Sequence, residues 1–155
     1  MTLAQSLPRI AIIGLGHMGQ HHVNACLDSN QVMLTAVVDK NREVVKKLAL
    51  EKLVKGFTNF QDVLPIADLA IVAVPTYAHA SIVMPLLKSG IPCLLEKPIA
   101  STEMEAEEIV NEASKSRTTL CIGHVERFNP QIIRLKNELK ETSVINSFST
   151  KRLNK

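Results

Sequence analysis

Short runs of branched apolar residues alternate with longer segments whose apolar positions recur every three or four residues, and the alternation repeats along most of the chain. Ile10 to Ile13 predicts a first strand, residues 17 to 29 a helix, and Val32 to Val38 a second strand. Residues 41 to 51 predict another helix, with Val44, Val45, Leu48 and Ala49 on one face. A short third strand is expected at Val54 to Phe57 and a fully buried fourth at Leu69 to Val74. The helix expected over 78 to 88 contains Pro85, which removes one backbone hydrogen bond and should bend it, and Gly90 ends it. A fifth strand, Pro92 to Leu95, precedes an acidic helix whose start is marked by Thr102 and, three residues on, Glu105, the spacing of a capping box. Thr118 to Ile122 predicts a sixth strand.

This is the rhythm of βαβ units, and right-handed crossovers close about six such strands into a doubly wound parallel α/β sheet, the Rossmann arrangement. The tail has another character. Asn129-Pro130 is a cap followed by proline in the first helical position, so a helix should run to about Lys140 with Ile132, Ile133, Leu135 and Leu139 as its apolar positions. Val144 to Thr150 reads as one more strand. The expected division is a dinucleotide-binding domain over residues 1–123 and a connecting helix with the first strand of a further domain over 124–155.

Composition narrows the class. At 155 residues the chain has the length of one ordinary domain, and a globule of that size buries roughly two-thirds of its unfolded surface. With 46% apolar residues, no Trp, one Tyr and four Phe, the core is aliphatic, as a buried parallel sheet requires. A net charge of +3, its basic residues mixed with acidic ones, argues against nucleic-acid binding. Cys26, Cys93 and Cys121 are odd in number, far apart and each set in an apolar stretch, which fits reduced core residues and a cytoplasmic location. No apolar run approaches 18 residues and no export signal opens the chain, so neither a membrane span nor secretion is expected.

The chemistry begins at Gly14-Leu15-Gly16-His17-Met18-Gly19, which follows the first strand and opens the first helix. Asp39 stands at the end of the second strand, twenty residues after Gly19, as a dinucleotide fingerprint requires. Gly14 permits the tight turn, Gly16 lets a pyrophosphate reach the backbone, and Gly19 lets helix and strand pack closely. Free N–H groups and the positive helix end, reached through His17 and Met18, then hold the phosphates. Asp39 accepts from the ribose hydroxyls of NAD and repels a 2′-phosphate, which favours NAD over NADP, although Lys40 and Arg42 lie near enough to accommodate one. His17 and His21 have the spacing of a helical metal pair but lack a third ligand, so no metal is expected.

In an open α/β sheet the ligand sits beyond the carboxyl ends of the strands. The segments there are Pro75-Thr76-Tyr77-Ala78-His79, Glu96-Lys97-Pro98, and Gly123-His124 through Asn129-Pro130. With the glycine loop and Asp39, they make nearly the whole chain resemble the N-terminal half of the glucose–fructose oxidoreductase, inositol dehydrogenase and MocA family. The resemblance implies hydride transfer between a nicotinamide cofactor and a secondary hydroxyl of a sugar. Its most specific element is Glu96-Lys97-Pro98: Lys97 would be the catalytic or substrate-orienting lysine, Glu96 would contact the cofactor side, and Pro98 would carry a cis bond. Pro75, Thr76 and His79 would lie near the cofactor, with loop packing the other reading for His79.

The segment after the sixth strand is similar to the nucleotide-sugar branch, which includes UDP-N-acetylglucosamine 3-dehydrogenases. There His124 would be a catalytic and substrate residue, and Arg127 and Asn129 would face the sugar diphosphate; helix capping is the other reading for Asn129, and a surface charge for Arg127. Relatives continue into a mainly antiparallel second domain that supplies further acid/base groups and mediates oligomerisation. This chain is therefore expected to stop one strand into it, with a homo-oligomer forming through the 130–150 region. Two functions follow, a sugar or nucleotide-sugar dehydrogenase, or a dinucleotide-binding module or partner subunit without catalysis of its own.

Overall fold

The computed structural model describes residues 6–140. They fall into two compact units divided between Gly123 and His124. The first unit is a six-stranded, wholly parallel sheet in the order β3-β2-β1-β4-β5-β6. Its strands are β1 (Arg9–Ile13), β2 (Met33–Val38), β3 (Lys55–Phe57), β4 (Leu69–Val72), β5 (Cys93–Leu95) and β6 (Leu120–Ile122). The helices are α1 (His17–Asp28), α2 (Arg42–Lys52), α3 (His79–Lys88) and α4 (Glu103–Ser116). The order reverses on either side of β1, so the doubly wound sheet expected from the sequence is the fold observed.

Alternation along the strands separates two cores. Ala11 and Ile13 of β1 face one side, where Val83, Leu86 and Leu87 of α3 and Ile109 of α4 pack against them. Ile10 and Ile12 face the other, against Val23 and Cys26 of α1 and the α2 stripe Val44, Val45, Leu48 and Ala49. A period of two on the strands and 3.6 on the helices produces this division without further instruction.

Strand ends differ from the sequence reading for identifiable reasons. Leu53 and Arg117 adopt left-handed backbone conformations at the ends of α2 and α4. The residues after them, Val54 and Thr118, return their N–H groups to Ala49 and Ala113, so the chain is still closing a helix where the sequence suggested a strand had begun. Ala73 still donates to the Ile13 carbonyl, but β4 ends at Val72. Three single turns of 3₁₀ helix, at Phe60–Val63, Thr76–Ala78 and Val125–Phe128, were not foreseen. They are too short to show a period; the first is capped by Asn59, whose side chain accepts from Gln61 N–H, and the other two have no side-chain cap.

Thr102 caps α4 as expected, accepting from Glu105 N–H at 3.2 Å; Glu105 in turn accepts from Ser101 N–H, one residue earlier than a reciprocal box would have it. The helix α3 runs on through Pro85. Cys26 and Cys93 are buried, but Cys121 is exposed and corrects the reading of all three as core residues. It lies on the edge strand β6 and faces the α1 side, where the apolar cluster reaches Leu94 of β5 and stops. Burial raises the Cys26 thiol and pushes the Cys93 thiol up to about 12. In the native protein a disulfide reagent should therefore label Cys121 quickly and the other two only after denaturation; rapid labelling of Cys93 would contradict this packing.

Asp68, just before β4, receives the Arg9 guanidinium in a forked pair at 2.7 and 3.0 Å and the Arg9 backbone N–H at 2.8 Å. These hydrogen bonds hold its carboxyl down at about 2. The unfolded value is higher, about 3.9, so this stabilisation is present above that value and fades as pH falls toward 2. Asp68→Asn should melt below the parent at pH 6, with the gap closing between pH 4 and 2. A gap independent of pH would disprove the linkage.

The second unit, as described to residue 140, holds the 3₁₀ turn at Val125–Phe128 and α5 (Pro130–Lys140). The expected strand at 144 to 150, with the self-pairing edge it would offer, lies outside the described residues. Among those described, no helix is long and apolar enough to cross a membrane.

Candidate functional site

The turn from β1 into α1 is built around two close backbone approaches. Gly14 has φ +94° and donates its N–H to Val38 O of the neighbouring strand; a Cβ on it would sit 2.5 Å from the Ala73 carbonyl oxygen. A Cβ on Gly19 would run into the Gly14 carbonyl. Gly16 differs, being the N-cap of α1, exposed, with nothing within 4 Å of a Cβ placed there. No side chain caps the helix and its first turn carries no acid, so its N-terminal N–H groups and positive dipole end face open space. These features fit the pyrophosphate of a dinucleotide, an anion held by bare backbone.

Asp39 follows β2 and is half-buried. One carboxylate oxygen accepts from Leu15 N–H and the other from Asn41 N–H, both at 2.8 Å. Each oxygen keeps a second lone pair, so the side chain is fixed beside the loop while still able to accept a hydroxyl. A cleft of about 760 Å³ opens here, and Gly14, Gly16, His17, Met18, Asp39 and Pro75 all line it. Thr58, Asn59 and Phe60, which follow β3, and Tyr77 also line it. Tyr77 belongs to the segment after β4 already expected here; Thr58, Asn59 and Phe60 were passed over, yet the rule that ligands gather at the carboxyl ends of strands, applied to β3 as well as to the later strands, would have found them.

Two residues expected near the cofactor have buried side chains held by the protein itself. His79 is buried, with its ring nitrogens 3.0 Å from Val74 O and 3.2 Å from Ile99 O, so its ring is set between two loop carbonyls, one of which takes the N–H of a neutral imidazole, and it does not line the cleft. Glu96 is only 6% exposed and turns toward α1, where Oε1 meets His22 Nε2 at 2.8 Å while Oε2 accepts from Lys97 N–H at 3.2 Å. Both oxygens are thus engaged by the protein, each keeping a second lone pair, so Glu96 is held in place between α1 and the start of the Lys97 loop. Carboxylates only accept, so His22 Nε2 carries the hydrogen. His22 was not singled out from the sequence; its place in α1, three residues after Gly19, is distant in sequence from the acid it meets.

Lys97 follows β5 at the same carboxyl edge, exposed, and its bond to Pro98 is cis, as the resemblance implied. Thr76 opens the 3₁₀ turn and accepts from the His79 N–H. In the second unit, Asn129 caps α5 by accepting from Gln131 N–H and also donates to Glu126, so its side chain is committed locally. His124 and Arg127 are exposed. His17 and His21 stand with Nε2 atoms 3.3 Å apart, and the described residues contain no group of three or more side chains placed to share a metal ion.

A glycine-bordered helix N-terminus at the switch point of a doubly wound sheet, with an acid after β2, defines a dinucleotide-binding Rossmann domain. The comparisons take this further. Residues 8–124 match the model of the GFO/IDH/MocA oxidoreductase family, NAD-binding Rossmann fold, and the chain belongs to that family. It is 30% identical over 128 residues to UDP-N-acetylglucosamine 3-dehydrogenase of Acidithiobacillus ferrooxidans, covering 83% of this chain and 40% of that protein. It is 29% identical over 134 residues to the rhizopine catabolism protein MocA of Rhizobium meliloti, covering 85% of this chain and 42% of that one. The solved structure of the Acidithiobacillus ferrooxidans dehydrogenase superposes with a TM-score of 0.79 at 27% identity, over 86% of this chain and 44% of that one. A scyllo-inositol dehydrogenase of Lactobacillus casei with bound NAD(H) and scyllo-inositol shares the fold, with a TM-score of 0.82 at 20% identity, over 88% of this chain and 42% of that one. The chain thus spans about 40% of the length of the curated relatives it matches.

Proposed function

We propose that this chain is the cofactor-binding part of an NAD-dependent dehydrogenase acting on a secondary hydroxyl of a sugar or nucleotide sugar, with residues 1–123 as the dinucleotide domain and 124–155 leading into a substrate domain. The observation that carries the reading is the exposed Lys97 after β5, on the same sheet edge as the glycine loop and Asp39. The likeness to UDP-N-acetylglucosamine 3-dehydrogenase of Acidithiobacillus ferrooxidans supports a nucleotide sugar as substrate.

When bound, NAD supplies a hydride acceptor. The chain's own residues do the rest. The N-terminus of α1 holds the pyrophosphate, and the fixed Asp39 carboxylate accepts from ribose hydroxyls while disfavouring a 2′-phosphate, hence NAD over NADP. Lys97 orients the reacting hydroxyl and exchanges its proton, a contribution that positioned acid/base groups typically make at roughly 10²–10⁴-fold. His124 and Arg127 are the proposed contacts to the sugar and its diphosphate, since guanidinium forks match phosphate oxygens.

Titration with NADH and with NADPH, followed by fluorescence or heat, tests the cofactor half: NADH should bind more tightly, and no binding at millimolar concentration would reject the reading. Turnover of UDP-N-acetylglucosamine with NAD tests the chemistry. Binding without turnover by the protein including its downstream sequence would favour the non-catalytic module.

A further inference from the structure

The glycine loop and Lys97 lie far apart in the chain, yet a single carboxylate ties them together. Glu96 Oε1 is 2.8 Å from His22 Nε2, on the second turn of α1, and Glu96 Oε2 accepts the Lys97 N–H at 3.2 Å. The two side chains are 16% and 7% exposed, so the bridge is screened from water. Gly123, the last residue of the first unit, closes it from another side: a Cβ there would come within 3.2 Å of the carboxyl carbon and both oxygens. The main chain anchors both strand ends, through Glu96 N–H to Val72 O and Gly123 N–H to Leu95 O.

A carboxylate buried beside Leu95 loses its hydration, and an apolar side chain would fill this space without that cost. What the acid adds is a fixed acceptor for the backbone N–H of Lys97, the last donor before Pro98, which has none. His22 satisfies the other oxygen and sets the direction of the carboxylate.

We propose that His22 is a positioning residue for Lys97, acting through Glu96, and that this bridge couples the phosphate-holding helix α1 to the reactive lysine. The bridge itself stands on geometry; its consequence for turnover rests on the dehydrogenase reading above. Binding of a dinucleotide at the N-terminus of α1 is therefore felt at Lys97 through two hydrogen bonds.

The test uses ¹⁵N-labelled chain and compares His22→Leu, which has no donor, with His22→Gln, whose amide N–H restores one. In His22→Leu the Lys97 amide should exchange with solvent about tenfold faster or more, while NADH affinity stays within about twofold. His22→Gln should recover exchange to within about threefold of the parent. An unchanged Lys97 amide in His22→Leu, or a glutamine variant no better than the leucine one, overturns the proposal.

Should His22→Leu fail to fold, His22→Ala, which likewise has no donor for the Glu96 carboxylate, takes its place: it should speed Lys97 exchange alike, and unchanged exchange overturns the bridge. Failure of the parent chain to bind NADH would reject the proposed function, but the exchange rates in the free protein would still decide the bridge. In a protein that turns over, kcat should fall about tenfold in His22→Leu with the KM for NAD within about twofold, and glutamine should rescue it. A loss confined to KM counts against positioning.

Discussion

A Gly19→Ala chain should melt about 10 °C or more below the parent and bind no measurable NADH. The added methyl points at the carbonyl of Gly14, which is backbone and cannot swing aside as a long side chain would. Nor can Gly14 retreat, because its φ of +94° is set by the turn and the Ala73 carbonyl lies directly behind it. The helix must lift from the strand, and overpacking of this kind typically costs about 1–3 kcal/mol, more where backbone is the obstacle. Gly16→Ala provides the contrast. Nothing surrounds that position, so its melting temperature should stay within about 2 °C of the parent while NADH affinity falls at least tenfold, the methyl standing where the phosphate would approach. Thermal melts with NADH titrations of both variants check this; equal behaviour of the two would show that the loop is not divided into a packing glycine and a binding glycine.

Lys97→Ala should lower turnover by roughly 10²–10⁴-fold while leaving NADH affinity within about twofold, because a positioned acid/base acts on the hydroxyl proton and not on the phosphate-holding loop. Its exposure makes a stability loss unexpected, so a melt matching the parent is part of the prediction. Steady-state rates with NAD and a nucleotide sugar, in protein including the downstream sequence, are the measurement. Equal rates for parent and variant would remove the chemical role of the lysine while leaving dinucleotide binding untouched.

These two sites show how differently sequence and structure report function. The fingerprint glycines and Asp39 are local in sequence, because one turn and the end of the next strand build the phosphate site, and their spacing was sufficient to find it. Lys97 stands out in the sequence by its neighbours Glu96 and Pro98 and by its position after a strand. Glu96 itself was legible as part of a motif, but its partner was not. His22 lies 74 residues away and reads as an ordinary helical residue until the sheet brings α1 beside the end of β5. His79 stood in the right segment, yet which way its ring turned depended on the carbonyls of Val74 and Ile99.

What the sequence determined by itself was the succession of elements and the existence of a phosphate-binding turn. Both depend on periodicity and on glycine, which act over a few residues. Tertiary structure decided the remainder. It delayed the start of strands where helix caps still claimed the next N–H, as at Val54 and Thr118, and it left Cys121 exposed because the apolar cluster on that face of the sheet stops at Leu94. It also joined His22, Glu96 and Gly123 into one buried contact. The physical reason is common to all of these: a side chain's partner across a parallel sheet is set by strand order, and strand order is fixed by how the helices pack.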